Sequence, residues 1–159
     1  MGMICSIFAL DEKELSRIDS DSDALMEFFE KADDQIDLDK AWHAIHFLLT
    51  GSAWQGDFPL NFILSGGRVL QTSDEESERY FSPAEVSSIN QALSHVTNED
   101  LLNRYDAKRM TEADLYPSIW ARPNEQQANR SYITENFTSL KEFLIAQASR
   151  GKGMIVSIM

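Results

Sequence analysis

The pattern of hydrophobic and polar positions divides the chain into two terminal strands and a helical middle. Residues 1–10 form an apolar, β-rich run ending at Asp11, which predicts a buried strand. The run GMIVSIM at 153–159 predicts a second strand. The simplest arrangement pairs these two strands in one sheet with helices packed over it. We therefore expect an α+β fold: a single, mainly helical domain over residues 1–159, with a small sheet that includes the N-terminal and C-terminal strands.

Helices are predicted where apolar side chains recur every three or four positions behind a capping residue. DEKELSRI at 11–18 and SDALMEFFEKA at 22–32 are the first two. Ser82, Pro83 and Glu85 make a capping box with proline at the first helical position. Another helix is expected from Asn98, and the clearest is the last, whose apolar stripe is Ile133, Phe137, Leu140 and Leu144. Residues 50–81 are the least regular, with a possible strand at 68–71.

The segment LDKAWHAIHFLLTG at 38–51 is predicted to be a helix from Leu38 to Leu49, capped by Asp37 and ended by Gly51. Most of its positions are apolar, and Phe47 lies nearly opposite the centre of the apolar face when the helix is drawn at about 100° per residue. A helix that is apolar on nearly all sides is covered on more than one of them. We therefore expect a central helix.

Asp39, His43 and His46 lie along one edge of this predicted helix. Asp39 and His43 are four residues apart, so the carboxylate could orient the imidazole as an acid–base site requires. The alternative is that both imidazoles are partly buried and hydrogen-bonded to backbone or carboxylate, and the sequence favours this structural role. Two imidazoles and one acid on one helix, without an HExxH pattern, do not make a zinc site, and no metal is expected.

Other chemical signals are sparse. Cys5 is the single cysteine, which excludes an internal disulfide, and it is expected to be an inert thiol in a strand. The sequence contains no GxSxG, P-loop or GxGxxG motif, so no cofactor is expected. No apolar run approaches the roughly 20 residues that span a bilayer, and the first residues do not match a signal peptide. We expect a cytoplasmic protein without membrane contact.

The charge distribution carries more information. The formal net charge is −12, which argues against nucleic acid as a partner. Residues 11–39 hold twelve Asp and Glu against three Lys and Arg, and a second acidic run lies at 73–78. Such a surface either keeps the protein soluble or attracts a basic partner. Arg104, Lys108 and Arg109 form a basic cluster, expected on one helix, that could bind an anion.

Several strings along the chain occur in the order of one known family. They are MGMI, LDKAWHAIHFLLTG, PLNFILSGG, ERYFSPAEV, YDAKRM, YPSIW and GKGMIVSI. On these the chain resembles the YfbM-like family, bacterial cytoplasmic proteins of unknown function. The resemblance implies a single α+β domain and no established activity. It marks a place for a site at the positions that match the family's motif, which are Asp39, Lys40, Trp42, His43, His46 and Thr50. The acidic segment 19–36 matches none of these motifs.

The leading functional hypothesis is a small acidic binding protein without catalytic activity, for example an immunity or antitoxin-like protein that masks a basic toxin. Its candidate partner-binding residues are Asp21, Asp23, Asp33 and Asp34. The alternative is a small-ligand-binding protein or hydrolase-type enzyme using a cleft. The candidate lining of that cleft is Asp39, Trp42, His43, His46, Trp54 and Tyr116. Self-association through the aromatic segment 50–65 is a third possibility, and the sequence leaves the oligomeric state open.

Overall fold

The first and last strands pair with each other over their whole length. β1 (Cys5–Leu10) runs antiparallel to β5 (Gly153–Ile158), with Cys5 opposite Ile158 and Leu10 opposite Gly153. The expectation that the terminal strands share a sheet is confirmed. The structure is a computed structural model that describes residues 2–73 and 77–159. Met1 of the first predicted strand and residues 74–76 of the acidic run lie outside the described residues.

Within the described residues the sheet has five strands in the order β2-β1-β5-β4-β3, all antiparallel to their neighbours. The remaining strands are β2 (Gln35–Asp39), β3 (Arg68–Val69) and β4 (Glu78–Phe81). β1 and β5 are interior strands with helices on both faces of the sheet. Their side chains are therefore covered on both faces, which explains why their sequences are apolar without alternation.

The described part of the chain contains seven α-helices and one 3-10 turn. Asp11 and Ser82 make the capping boxes of α1 and α4 with Glu14 and Glu85, so the predicted box at Ser82 is confirmed. The cap of α5 is Thr97 and not Asn98. The helices are α1 (Glu12–Ile18), α2 (Ser22–Lys31), α3 (Trp42–Thr50), α4 (Pro83–Ser94), α5 (Asn98–Arg104), α6 (Ala107–Glu112) and α7 (Gln126–Ser149), with the 3-10 turn at Pro123–Glu125.

The helices cover the sheet unequally. On one face α1 and α2 pack over Phe8, Leu10, Tyr80 and Ile155 and form a small apolar cluster of their own. On the other face lies the main core, in which α3 and the helices α4 to α7 bury the opposite side chains of β1, β4 and β5. The molecule therefore has three layers, and α3 is the buried helix that was expected, with Phe47 covered as well.

The start of α3 differs from the prediction. Residues 35–39 are not its first turn but the edge strand β2, which pairs with β1. Asp39 has a positive φ of 46°, and the chain turns there before the helix begins at Trp42. Asp37 does not cap the helix, because it lies in β2 and the N-cap position is Ala41, which makes no side-chain cap. Its carboxylate accepts a hydrogen bond from the Ser6 hydroxyl instead. Pairing with a strand distant in sequence outweighed the local helical pattern.

A buried arginine donates hydrogen bonds to backbone carbonyls of the irregular segment before β4. Arg79 of β4 points into the main core and donates from Nη1 to the Gly66 carbonyl and from Nη2 to the carbonyls of Phe62 and Ile63. Burial lowers the pKa of Arg79 to about 10. β4 itself was not predicted, because ERYF is short and carries two charges. The possible strand at 68–71 is confirmed only as β3, over Arg68–Val69.

Candidate functional site

Four of the six predicted cleft residues form one row of rings, which we call the aromatic row: Tyr116, Trp42, His43 and Trp54. Trp42 stacks on His43 with ring centroids 4.9 Å apart and on Tyr116 with centroids 5.6 Å apart. Trp54 lies beyond His43, at 4.4 Å. Trp42 and His43 are buried, whereas 60% of Trp54 is exposed. Trp54, at one end of the row, is therefore the ring that solvent reaches most.

His43 is fully hydrogen-bonded and neutral. Its Nδ1 accepts from the backbone N–H of Tyr116 at 2.8 Å, so the ring hydrogen sits on Nε2 and is donated to the carbonyl of Ala53, also at 2.8 Å. Burial lowers the pKa of His43 below its ordinary value. The ring fastens α3 to the two loop segments that carry its partners.

His46, one turn further along α3, makes one bond of the same kind. Its Nε2 donates to the carbonyl of Gln55 at 3.1 Å. Its Nδ1 is buried and has no hydrogen-bond partner among the described residues. Burial lowers the pKa of His46 to about 4, so this ring too is neutral near pH 7. The exposed fraction of His43 and of His46 is 0%.

Asp39 is not part of this arrangement. Because β2 and not the helix contains it, its carboxylate accepts a hydrogen bond from the Tyr132 hydroxyl at 2.6 Å, and the same hydroxyl accepts from the backbone N–H of Lys40 at 2.9 Å. The interpretation in which Asp39 orients His43 is therefore wrong. The partner of His43 at Nδ1 is a backbone amide, and a backbone partner leaves no signal in the sequence.

The hydrogen bonds of His43 and the burial of His46 limit the acid–base chemistry that the aromatic row can perform. A general base needs a nitrogen within hydrogen-bond reach of a substrate proton. Both nitrogens of His43 are engaged by backbone groups, and the free nitrogen of His46 has no access to solvent. Across residues 2–73 and 77–159, no group of three or more His, Cys, Asp or Glu side chains is placed to hold a metal ion.

The four predicted partner-binding residues lie around the two ends of α2. Asp21 caps the helix by accepting from the backbone N–H groups of Asp23 and Ala24. Asp33 and Asp34 follow its C-terminus and line a groove of about 250 Å³ between α1, α2 and the sheet. All four are exposed. Asp34 pairs with Arg150 at 2.9 Å, whereas no cation within the described residues pairs with Asp23 or Asp33.

The basic cluster does not lie on one helix as expected, and two of its residues line a groove that the sequence did not indicate. Arg104 ends α5 whereas Lys108 and Arg109 belong to α6, so the cluster spans two helices. Both arginines line a groove of about 360 Å³ beside the C-terminal end of α3. Only the tertiary fold brings α3 to this position.

The antiparallel sheet lies between two helical layers of unequal size, and the larger layer contains the buried helix α3 with Trp42 and His43. This arrangement defines a three-layer α+β protein. The chain belongs to the family described as a domain of unknown function, DUF1877, whose model matches residues 1–157. It is similar in fold to the crystal structure of a protein of unknown function, YfbM from Escherichia coli. The TM-score is 0.79 at 18% identity, over 98% of this chain and 99% of that one. A search of curated proteins gave no match.

The YfbM-like resemblance and the α+β fold class are thereby confirmed, and both findings leave the activity open. Of the helices that the structure describes, none combines the length and the apolar character needed to cross a membrane.

Proposed function

We propose that the protein is a binding module for a basic protein partner, which docks on the outer side of α1 and α2. We call this surface the acidic face: the exposed residues of α1, of α2 and of the turn at 32–34. The proposal rests on one observation. Several carboxylates of this face have no ion-pair partner within the described residues, although basic residues from elsewhere in the chain pair with other acids nearby.

The fold brings three cations from elsewhere in the chain to this region. Arg68 pairs with Asp19, Arg150 with Asp34 and Lys152 with Asp11. Within the region, Arg17 and Lys31 both pair with one carboxylate, that of Glu27. Within the described residues, Asp23, Glu30 and Asp33 are left without an ion-pair partner. An unneutralised field of one sign steers and selects partners of the opposite sign.

An apolar side chain stands among these acids. Met26 on α2 is 58% exposed and lies one helical turn from both Asp23 and Glu30. An adaptable thioether within a charged rim resembles the usual anatomy of a protein interface, in which an apolar contact is surrounded by polar groups. The expected partner therefore offers Lys or Arg side chains around an apolar contact.

The test uses exposed positions whose side chains make no capping bond and no ion pair within the described residues. Asp21 is unsuitable because it caps α2, and Asp34 because it pairs with Arg150. We would reverse Asp23 and Asp33 together, as Asp23→Lys and Asp33→Lys. The matched control is Glu135→Lys with Glu142→Lys on exposed positions of α7, which changes the net charge equally on another face.

The intact chain is used to capture partners from lysate of its native host, followed by affinity measurement with the captured protein. The proposal expects a basic protein, binding that weakens at high salt, and a loss of about tenfold or more in affinity for the Asp23/Asp33 variant but not for the α7 control. Equal affinities of the two double variants would overturn it, and so would a captured partner that is not basic.

A second candidate is small-ligand binding at the aromatic row, and the exposed ring of Trp54 favours it. A flat ligand could stack on this indole at the open end of the row. A hydrolase-type reaction there would further require His43 to release Tyr116 or Ala53. Quenching of tryptophan fluorescence by a small aromatic ligand, lost in Trp54→Leu and retained in Trp120→Phe, would support this candidate.

A further inference from the structure

We propose that a groove at the C-terminal end of α3 binds a small organic anion consisting of a carboxylate and an apolar body. We call it the arginine groove. It encloses about 360 Å³, within the range of small-molecule sites. Its floor is apolar and two guanidinium groups flank it; the residues that matter are Phe47, Leu49, Leu60, Val96, Arg104 and Arg109.

Both arginines contact residues of α3. Arg104 donates from Nη1 to the carbonyl of Leu48 at 2.9 Å, near the end of α3. Arg109 lies over the ring of Phe47, with its guanidinium carbon 5.8 Å from the ring centroid. A guanidinium has five N–H donors, so each arginine retains several for a ligand. Because its hydrogen bond already holds Arg104 in place, that side chain loses less conformational freedom when a ligand binds.

Neither of these arginines forms an ion pair within the described residues. No Asp or Glu lines the groove. Of the six other arginines, those at positions 17, 68, 122 and 150 pair with carboxylates. Within the described residues no carboxylate pairs with Arg104 or Arg109, nor with Arg79 or Arg130. The nearest acids in sequence have other partners: Asp100 completes the capping box of α5 with Thr97, Asp106 caps α6, and Glu112 pairs with Lys108. The chain has 26 acidic and 14 basic residues. Two arginines that line one groove without an ion-pair partner are therefore a local excess of positive charge in an acidic protein.

The end of α3 accounts for only part of this positive charge. A helix C-terminus carries a partial charge of roughly −0.5, which one of the arginines offsets. Positive charge then remains in the lining of a mainly apolar groove. Guanidinium groups bind carboxylates in a planar, two-bond geometry, and the apolar floor favours a ligand with a hydrocarbon or aromatic portion. A bare inorganic anion would leave the floor unused.

The test is a titration of the uniformly ¹⁵N-labelled intact chain, followed by backbone amide shifts. Benzoate is the probe, benzamide its neutral counterpart, and acetate and inorganic phosphate the anions without an apolar body. We expect benzoate to shift the amides of Gly51, Leu60 and Val96, with a dissociation constant of about 1 mM, and the other three to bind at least about tenfold more weakly.

Arg109→Gln is the decisive variant, because no hydrogen bond of its side chain to the described residues holds the fold. It should lower benzoate affinity about tenfold or more, whereas Arg68→Gln should leave it unchanged, because it removes the same charge on the other face of the sheet, where Arg68 pairs with Asp19 and lies over Tyr80. Three outcomes would overturn the proposal: shifts outside the groove only, equal binding of benzoate with benzamide or phosphate, or unchanged affinity in Arg109→Gln. None of these bears on the acidic face, so the two proposals fail independently.

Discussion

The backbone N–H of Tyr116 donates to Nδ1 of His43 at 2.8 Å, across 73 positions of sequence. This bond fixes the tautomer of the ring, since a nitrogen that accepts a hydrogen bond carries no proton. The opposite nitrogen donates to the carbonyl of Ala53. Protonation of Nδ1 would therefore break the contact with Tyr116, and the folded state holds His43 neutral.

Stability should decrease as the pH falls below neutrality. Burial lowers the pKa of His46 to about 4 in the folded state, whereas the unfolded chain keeps the ordinary value of 6.5. The unfolded state thus takes up a proton first, so the stability that depends on a neutral His46 is complete above pH 6.5 and is lost toward pH 4. By pH 5 the loss from this ring alone is about 2 kcal/mol, and His43 adds to it in the same direction.

Urea unfolding between pH 7.5 and pH 5 measures this dependence while staying above the isoelectric point near 4.5. His46→Gln keeps a donor for Gln55 and removes the titrating group. Its free energy of unfolding should vary less steeply with pH than that of the wild type. Parallel curves for the two proteins would show that His46 titrates normally in the folded state.

Replacing Arg79 should lower the free energy of unfolding strongly, although the residue lies on a short strand. Arg79→Met keeps an unbranched side chain but removes the N–H donors from the carbonyls of Phe62, Ile63 and Gly66. Leaving these carbonyls without partners should lower the free energy of unfolding by about 3 kcal/mol or more. Arg68→Met, which removes a half-exposed partner of Asp19, should cost less than about 1 kcal/mol. Chemical denaturation of both variants tests the difference.

Two glycines with positive φ should respond differently to alanine. At Gly67, with φ of +70°, an added Cβ would lie 2.6 Å from the Tyr80 carbonyl oxygen, whereas at Gly151, with φ of +65°, nothing lies within 4 Å. Gly151→Ala should cost only the backbone penalty of about 1 kcal/mol, and Gly67→Ala should cost at least about 1 kcal/mol more because of the clash. Thermal melting compares them, and equal costs would contradict the close approach.

The thiol of Cys5 should be inert in the folded protein. It is fully buried, and burial raises its pKa to about 12. Since the thiolate is the reactive form, Ellman's reagent should modify it only after unfolding in guanidinium chloride. Ile4→Cys places a second thiol one residue earlier, where the side chain is partly exposed, and that thiol should react without denaturant. Rapid modification of the wild type under native conditions would show that β1 opens.

The sequence by itself determined the features that depend on neighbours within about four residues. The capping box at Ser82, the end of α3 at Gly51 and the apolar stripe of α7 are of this kind, because their hydrogen bonds and packing faces follow from local spacing. The two terminal strands were also predictable, since interior strands are apolar on both faces. The acidity of residues 11–39 is a property of composition alone.

Only the tertiary structure decided what depends on distant backbone. Residues 35–39 became an edge strand because β1 offered them a ladder, and this moved Asp39 away from His43. The histidine rings bond to carbonyls and an amide from loops, and such groups are present at every residue, so the sequence does not mark them. Arg104 and Arg109 line one groove at the end of α3 for the same reason: a hydrogen bond or a groove between distant segments exists only once the chain has closed the loops that separate them.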